Sequence, residues 1–281
     1  MKRPWLLVFP SLILLILVLL GPELHAIYMS FFKEGSFVGI RNYRILFEDD
    51  EFYKALFNTV VFTFFSVALE FVIGLGISLL LDKQTRGKRI TRSLVIVPFV
   101  VTPVVGGFVW KMMLDANYGV LNYFLTFLGF PMGSVEWTSS PDLSMVSVVL
   151  AEVWINTPFV VLILLAGLQA LPQAPFEAAR VDGASSLFTF KKITVPLLMP
   201  AILVAIIFRL VLALREFTTI WIMTQGGPIN STYVLSMSIY KNMFLFFKDN
   251  SSAAFGVVIL FLTFLVSAPL MVKMYAEIKE T

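Results

Sequence analysis

Five ionisable side chains sit inside runs of hydrocarbon-like sequence: Glu70, Glu152, Arg209, Arg215 and Glu216. A charge in such surroundings is costly, and where it occurs it marks a solute path, a relay or a lock between helices. Glu152, Asn156 and Phe159 are spaced i, i+4, i+7 and share one helix face; Arg209, Leu212 and Glu216 are expected to align in the same way. At the helical rise, Glu152 lies about 13 Å and Arg215 about 9 Å below the outer ends of their apolar runs. Together Asn156, Arg215, Glu216 and Phe159, with Glu152 beside them, offer hydrogen-bonding groups and an aromatic platform, the mix that holds a small polar solute with one apolar face. The competing reading is that the charges only pair and lock helices, and for Arg209 and Glu70 it is the favoured one.

A second stretch is out of place for the opposite reason. EAARVDGASSLFTF, Glu177 to Phe190, is a polar, turn-rich insert in a greasy chain. Phe176 to Val181 favour a short helix. Asp182-Gly183 is turn chemistry with Gly183 free to take positive φ, and Ser185 or Ser186 can cap a second short helix through Phe188 to Ile193. The expected form is a helix–turn–helix elbow held on the membrane surface by Leu187, Phe188, Phe190 and Ile193, bounded by Leu171-Pro172 on one side and Pro196 and Pro200 on the other. Its small residues Ala178, Ala179 and Ala184 let another protein approach closely, which an unpartnered loop does not need.

Other chemistries are excluded. The chain has no cysteine and one histidine, His25, which leaves no thiol nucleophile, disulfide or His-based metal site. A net charge of +3 does not suit nucleic acid. The sequence lacks a G-x-x-x-x-G-K-[ST] phosphate loop, so the chain is not expected to act as an enzyme or to hydrolyse nucleotide. Asn250-Ser251-Ser252 matches a glycosylation triplet, a match common by chance.

The elements that position these groups follow from composition. Apolar residues make up 58% of the 281, charged ones 14%, and mean hydropathy is +0.88, against about a quarter charged in a soluble domain. Six runs reach the about 20 residues that span a bilayer: roughly 5–30, 59–81, 94–114, 143–170, 199–221 and 253–275. The first run is too long for a signal-peptide core and is read as a retained span. Twelve Lys and Arg residues fall in the termini and the 82–93 and 171–198 loops, against seven on the opposite side, where Glu48-Asp49-Asp50-Glu51 cluster. Both termini and the elbow are therefore expected in the cytoplasm. The expected fold is all-α, a single domain over 1–281 with six spans and a cytoplasmic coupling loop at 171–198.

The segment EAARVDGASSLFTFKKITVPLLMP resembles the EAA loop of ABC-importer permease subunits. The family pattern falls on Glu177-Ala178-Ala179, Asp182-Gly183-Ala184 and Ile193-Thr194-Val195-Pro196, with Val195 in place of the usual leucine. FVGIRNYRILF, NTVVF at Asn58, Pro98, Trp110, YGVLN at 118–122, WINTPF at 154–159 and MTQGGPINSTYVLSMSIY are similar to carbohydrate-uptake permeases of the maltose-transporter type. The resemblance implies that the elbow is the coupling helix of a transport subunit. Glu177 would pair with a separate cytoplasmic ATPase, Gly183 would make the bend, and Ala178, Ala179 and Ala184 would face the ATPase cleft beside Asp182. It implies sugar contacts at Asn156, at Phe159 and within Leu214 to Phe217, for a sugar or polyol or, alternatively, a solute such as a glycerol phosphodiester. It further implies a second homologous permease, a dimer of ATPase subunits that bind ATP and Mg, and an extracytoplasmic binding protein. A secondary transporter, the other class of solute carrier, would show matched inverted halves, and none is visible.

The orientation is directly testable because the native chain offers a cysteine-free background. Cysteines introduced at Gln84 and Ser186 should react only with membrane-permeant thiol reagents in intact cells, and one at Ser139 with impermeant ones. Labelling at position 186 from outside would reverse the topology.

Overall fold

The computed structural model describes residues 5–84, 86–129 and 135–280. It is helical almost throughout. α1 (Trp5–Ser30) leads through a two-residue-per-strand hairpin, β1 (Phe32–Lys33) and β2 (Ser36–Phe37), to α2 (Arg41–Phe47) and then to the long α3 (Asp50–Lys83). α4 (Lys88–Val100), α5 (Pro103–Met113) and α6 (Val120–Phe127) precede α7 (Pro141–Gln169). The elbow is α8 (Ala174–Val181) and α9 (Ser186–Thr189); it runs through a wide-turned stretch, Phe190–Thr194, into α10 (Val195–Ala213). α11 (Thr218–Met223), α12 (Leu235–Tyr240), a second wide-turned stretch at Lys241–Leu245 and α13 (Asp249–Glu280) complete the chain.

Among the described residues, five continuous helical stretches are long and apolar enough to cross a membrane: Phe9–Ser30, Asp50–Lys83, Pro141–Gln169, Ser186–Ala213 and Asp249–Glu277. The expected third span, 94–114, is not a single rod. α4 and α5 meet at 93° across Val101 and Thr102, and the count is six only if this bent pair is one span. Proline explains the break. Pro103 drives the residue before it out of the helical region, and Thr102 duly has ψ 143°; the same proline is well placed in the first turn of α5.

The fifth run is also shorter than its apolar sequence. α10 stops at Ala213, the amides of Arg215 and Glu216 close tight turns onto Leu212 and Ala213 (3.1 and 3.2 Å), and α11 starts afresh at Thr218. Arg209, Leu212 and Glu216 therefore do not share a face, since the helix on which that spacing was counted ends between them. At the other end Pro196 and Pro200 do not terminate the elbow. Helix continues from Ser186 to Ala213, with Pro196 in the first turn of α10 and Pro200 inside it. The second elbow helix is correspondingly short and merges into the span.

The interior has two apolar cores. An outer one joins Phe62 and Val67 of α3 to Val148, Ala151 and Val153 of α7, Ile220 of α11 and Leu235 and Met237 of α12. An inner one joins Val160, Leu164 and Leu168 of α7 to Leu198, Ile202 and Ala205 of α10, with Phe71 and Leu75 of α3 against it. Two glycines permit this packing. A Cβ at Gly74 would lie 2.8 Å from Val160 Cγ1, and one at Gly167 would lie 2.6 Å from the Cβ of Ala201, so α7 touches α3 and α10 nearly backbone to backbone. α1 stands apart. No residue in its apolar window is buried, and it leans on α13.

Candidate functional site

Between the two cores lies a layer of charge. Arg209 (2% exposed) reaches from α10 to Glu70 of α3 (0%) and Glu152 of α7 (2%). Its Nε and Nη2 donate to the two oxygens of Glu70, the Nη2 contact at 2.8 Å, and Nη2 also donates to Glu152 Oε1 at 2.9 Å. Helical rise places the three residues about 20–25 Å from the elbow-side ends of their helices, which is why one guanidinium meets both carboxylates. Asn156, one turn below Glu152, donates from Nδ2 to Glu152 Oε1 at 2.9 Å and to the Glu152 carbonyl at 3.2 Å. Thr219 of α11 donates through Oγ1 to Glu152 Oε2 at 3.3 Å. Four helices thus meet at one ionic knot, with a bidentate fork as its strongest joint.

This arrangement corrects part of the sequence reading. Glu152 is not an open lining group; both its oxygens are engaged and it is sealed from solvent. Arg215 does not pair with Glu216 or face Asn156. The turn after α10 sends it toward α1, where Nη2 lies 3.8 Å from Glu23 Oε1 with both side chains about half exposed. It opens there on a cavity of about 310 Å3 between α1 and α13, with Ser236 and Gly256. Glu216 is used locally: Oε1 accepts from the Thr219 amide at 2.7 Å and caps α11, whose N-terminus favours negative charge. Of the expected path residues Asn156 and Phe159 remain half-buried on α7, with Asn156 on Glu152 and Thr219 linking Glu152 to Glu216, while Arg215 turns away. Phe159 packs between the rings of Phe99 and Phe208, at 5.9 and 6.2 Å between centroids.

The elbow has the expected geometry. α8 runs to Val181, Asp182 closes it, and Gly183 has φ 70° with nothing within 4 Å of where a Cβ would sit. The Ala184 amide then returns to the Ala179 carbonyl at 2.9 Å, the hydrogen bond of a helix end closed through a left-handed glycine. Ser185 caps α9 by accepting from the Phe188 amide. Glu177, Ala178, Asp182 and Gly183 are exposed and Ala184 is partly so. Ala179 is the exception: it is 7% exposed, turned inward by the helix, and cannot face a partner. Leu187 and Phe188 are exposed, while Phe190 and Ile193 pack partly inward.

The asparagines in the quoted motifs are fasteners. Asn42 Nδ2 donates to the carbonyls of Ser30 and Phe32, and Asn58 Nδ2 to those of Asn230 and Tyr233. Asn122 Nδ2 donates to the carbonyls of Ala116 and Val135, while its Oδ1 accepts from Trp137 Nε1 at 2.8 Å. Asp115 accepts from the amides of Asn117 and Tyr118, which holds its exposed carboxyl below the ordinary range. Asn250 Nδ2 donates to the Met29 carbonyl at 2.9 Å, so the glycosylation triplet is a structural joint. His25 stacks loosely on Tyr28 near the end of α1. Thr219 carries no sequence signal of its own, and the asparagines stand out in the sequence as parts of motifs rather than as fasteners. Counting the depth of Glu70 and Arg209, as was done for Glu152, would have found the knot.

A helical membrane bundle with a solvent-facing docking elbow on one side and tightly fastened loops on the other defines a transport subunit driven by partners. The chain belongs to the family described as binding-protein-dependent transport system inner membrane component, whose model matches residues 71–276. It is 37% identical to the trehalose/maltose transport system permease protein MalF of Thermococcus litoralis over 85% of this chain and 83% of that protein. It is 33% identical to the trehalose transport system permease protein SugA of Mycobacterium tuberculosis, over 92% and 84%. Its fold matches a bacterial ABC transporter involved in import of the acidic polysaccharide alginate, with TM-score 0.85 at 22% identity, covering 98% of this chain and 96% of that one.

Removing one partner of a buried ion network costs about 3–5 kcal/mol. Arg209→Met, which strands two buried carboxylates, should therefore lower the melting temperature of the assembled transporter sharply, and Glu70→Gln, which keeps a hydrogen-bonding partner, less so. A melting temperature unchanged in Arg209→Met would mean that the knot does not hold the helices.

Proposed function

We propose that this chain is one half of the translocation path of an ATP-driven importer for a sugar or related polyol, delivered by an extracytoplasmic binding protein. The observation that carries the coupling part is the exposed elbow: Glu177, Ala178, Asp182, Gly183 and Ala184 form a small-residue knuckle just before the continuous helical stretch, Ser186–Ala213, that carries Arg209. An ATPase dimer, holding ATP and Mg, seizes this knuckle, and the chain itself hydrolyses nothing. A second homologous permease supplies the other half of the path. Both termini and the elbow face the cytoplasm, with the protein in the inner membrane of its cell. The sugar assignment is supported by the trehalose and maltose permeases among its relatives. A glycosylated glycerol is a second reading, favoured by 35% identity over 94% of the chain to the sulfoquinovosyl glycerol transport system permease protein SmoG of Agrobacterium fabrum. Asn156 and Phe159 are the substrate contacts of this reading, an amide beside an aromatic face.

Gly183→Val tests the coupling. The space around Gly183 is open, so the substitution acts through backbone strain at φ 70° and through added bulk in the docking face. Transport and stimulated ATP hydrolysis should fall while membrane abundance stays normal; near-normal uptake would refute the elbow's role.

Asn156→Leu tests the path. It leaves Arg209 paired with both carboxylates and removes a group that can meet a solute hydroxyl, an interaction worth about 1–3 kcal/mol when left unmade. Trehalose and maltose uptake should weaken with basal hydrolysis retained. Unchanged uptake and unchanged substrate concentration dependence would make Asn156 a packing residue.

A further inference from the structure

Two exposed apolar residues on the side opposite the elbow are held in backbone conformations that their side chains disfavour. Ile229 has φ 49° and is 80% exposed; Phe247 has φ 53° and is 82% exposed. A β-branched residue with positive φ is a true outlier, and such strain persists only where the surroundings impose it. Here they do. The Ile229 carbonyl accepts from Lys54 Nζ at 2.6 Å, the next carbonyl, that of Asn230, accepts from Asn58 Nδ2 at 2.9 Å, and Asn230 Nδ2 donates to Glu51 Oε1 at 2.9 Å. Ser231 is tied to Ser144 at 2.7 Å and Thr232 to Thr224 at 2.6 Å. The turn carrying Phe247 is closed by the Lys248 amide on the Asn242 carbonyl at 2.7 Å. Both side chains stand largely in solvent, and both loops are braced where they carry them.

A cleft of about 260 Å3 opens beside both loops; Asp49, Glu51, Asn242 and Lys248 are in its polar lining, and Phe52 and Phe246 are among its apolar walls. Charged residues around the knobs, among them the exposed run Glu48-Asp49-Asp50-Glu51, argue against burial in hydrocarbon. Apolar anchors projecting from a polar rim are the anatomy of a protein–protein hot spot. Rigid loops also meet a partner without an ordering cost.

We propose that Ile229 and Phe247 are a pair of preformed knobs on which the extracytoplasmic binding protein docks, with the cleft beside their loops receiving a polar side chain of that protein. The binding protein is the partner that the chain's family requires on this side. The side itself rests on the orientation proposed above, and the cysteine labelling at positions 84, 139 and 186 separates a failure of that orientation from a failure of the knobs.

Ile229→Gly and Phe247→Gly are the informative variants, since glycine adopts the observed φ freely and the fold is relieved rather than strained. In the assembled transporter in nanodiscs, titrated with its binding protein, each should raise the concentration for half-maximal stimulation of ATP hydrolysis about tenfold, the effect of losing a hot-spot anchor. Basal hydrolysis and complex yield should be unchanged. A cysteine introduced by Ile229→Cys should cross-link to the binding protein from the aqueous side. An unshifted titration curve would overturn the proposal. So would loss of assembled complex in the glycine variants, or cross-linking to the second permease instead, either of which would place the knobs in the permease interface.

Discussion

One guanidinium between two carboxylates organises this molecule. Arg209 is the only contact through which α3, α7 and α10 meet as charged partners among the described ion pairs, and through Glu152 it also reaches α11. A bilayer gives packed helices little hydrophobic reason to associate, because lipid tails solvate apolar side chains as well as a neighbouring helix does. What fixes the arrangement is a polar joint whose alternative is an unsatisfied charge in hydrocarbon, together with close approach at Gly74 and Gly167. The ionic layer also divides the apolar interior into outer and inner cores.

The same α10 that carries Arg209 is continuous with the elbow from Ser186 onward. The second helix of the elbow is thus joined to the buried charge layer by one helical stretch rather than through a loop. Beyond Ala213 that rod ends, and the turn through Arg215 and Glu216 changes direction into α11. The continuous helix thus stops one turn beyond the ionic knot.

The apolar runs and the elbow with its glycine bend were legible in the sequence, because each depends on local properties: length, composition and a φ that few residues tolerate. What was not legible depends on neighbours. Pro103 announced its own break, yet the 93° turn is set by the packing of α5 on α11. Arg215 and Glu216 looked like a buried pair because the fifth apolar run, 199–221, continues past the end of α10 at Ala213. Glu152 looked like an open lining group because nothing in its own helix reveals Arg209 beside it. Ala179 belongs to a small-residue pattern, but only the rotation of α8 decides which alanine faces out. The motif asparagines are legible as motifs and not as fasteners, since each carbonyl they hold comes from a different loop.

The placement of α1 has a consequence for how the chain is made. Its main neighbour is α13, and the joint that ties their outer ends, Asn250 to the Met29 carbonyl, links residues 221 positions apart. During synthesis the first helix enters the bilayer while its companion is the last to leave the ribosome. Until then α1 has lipid along most of its length, with the hairpin, Asn42 at Ser30 and Arg215 at Glu23 as its contacts near one end. Its long uncharged run is suited to that wait, since a helix with all backbone groups paired internally is stable in hydrocarbon by itself. Assembly of this subunit therefore closes as a ring in time, with the oldest segment held in reserve until the youngest arrives to receive it.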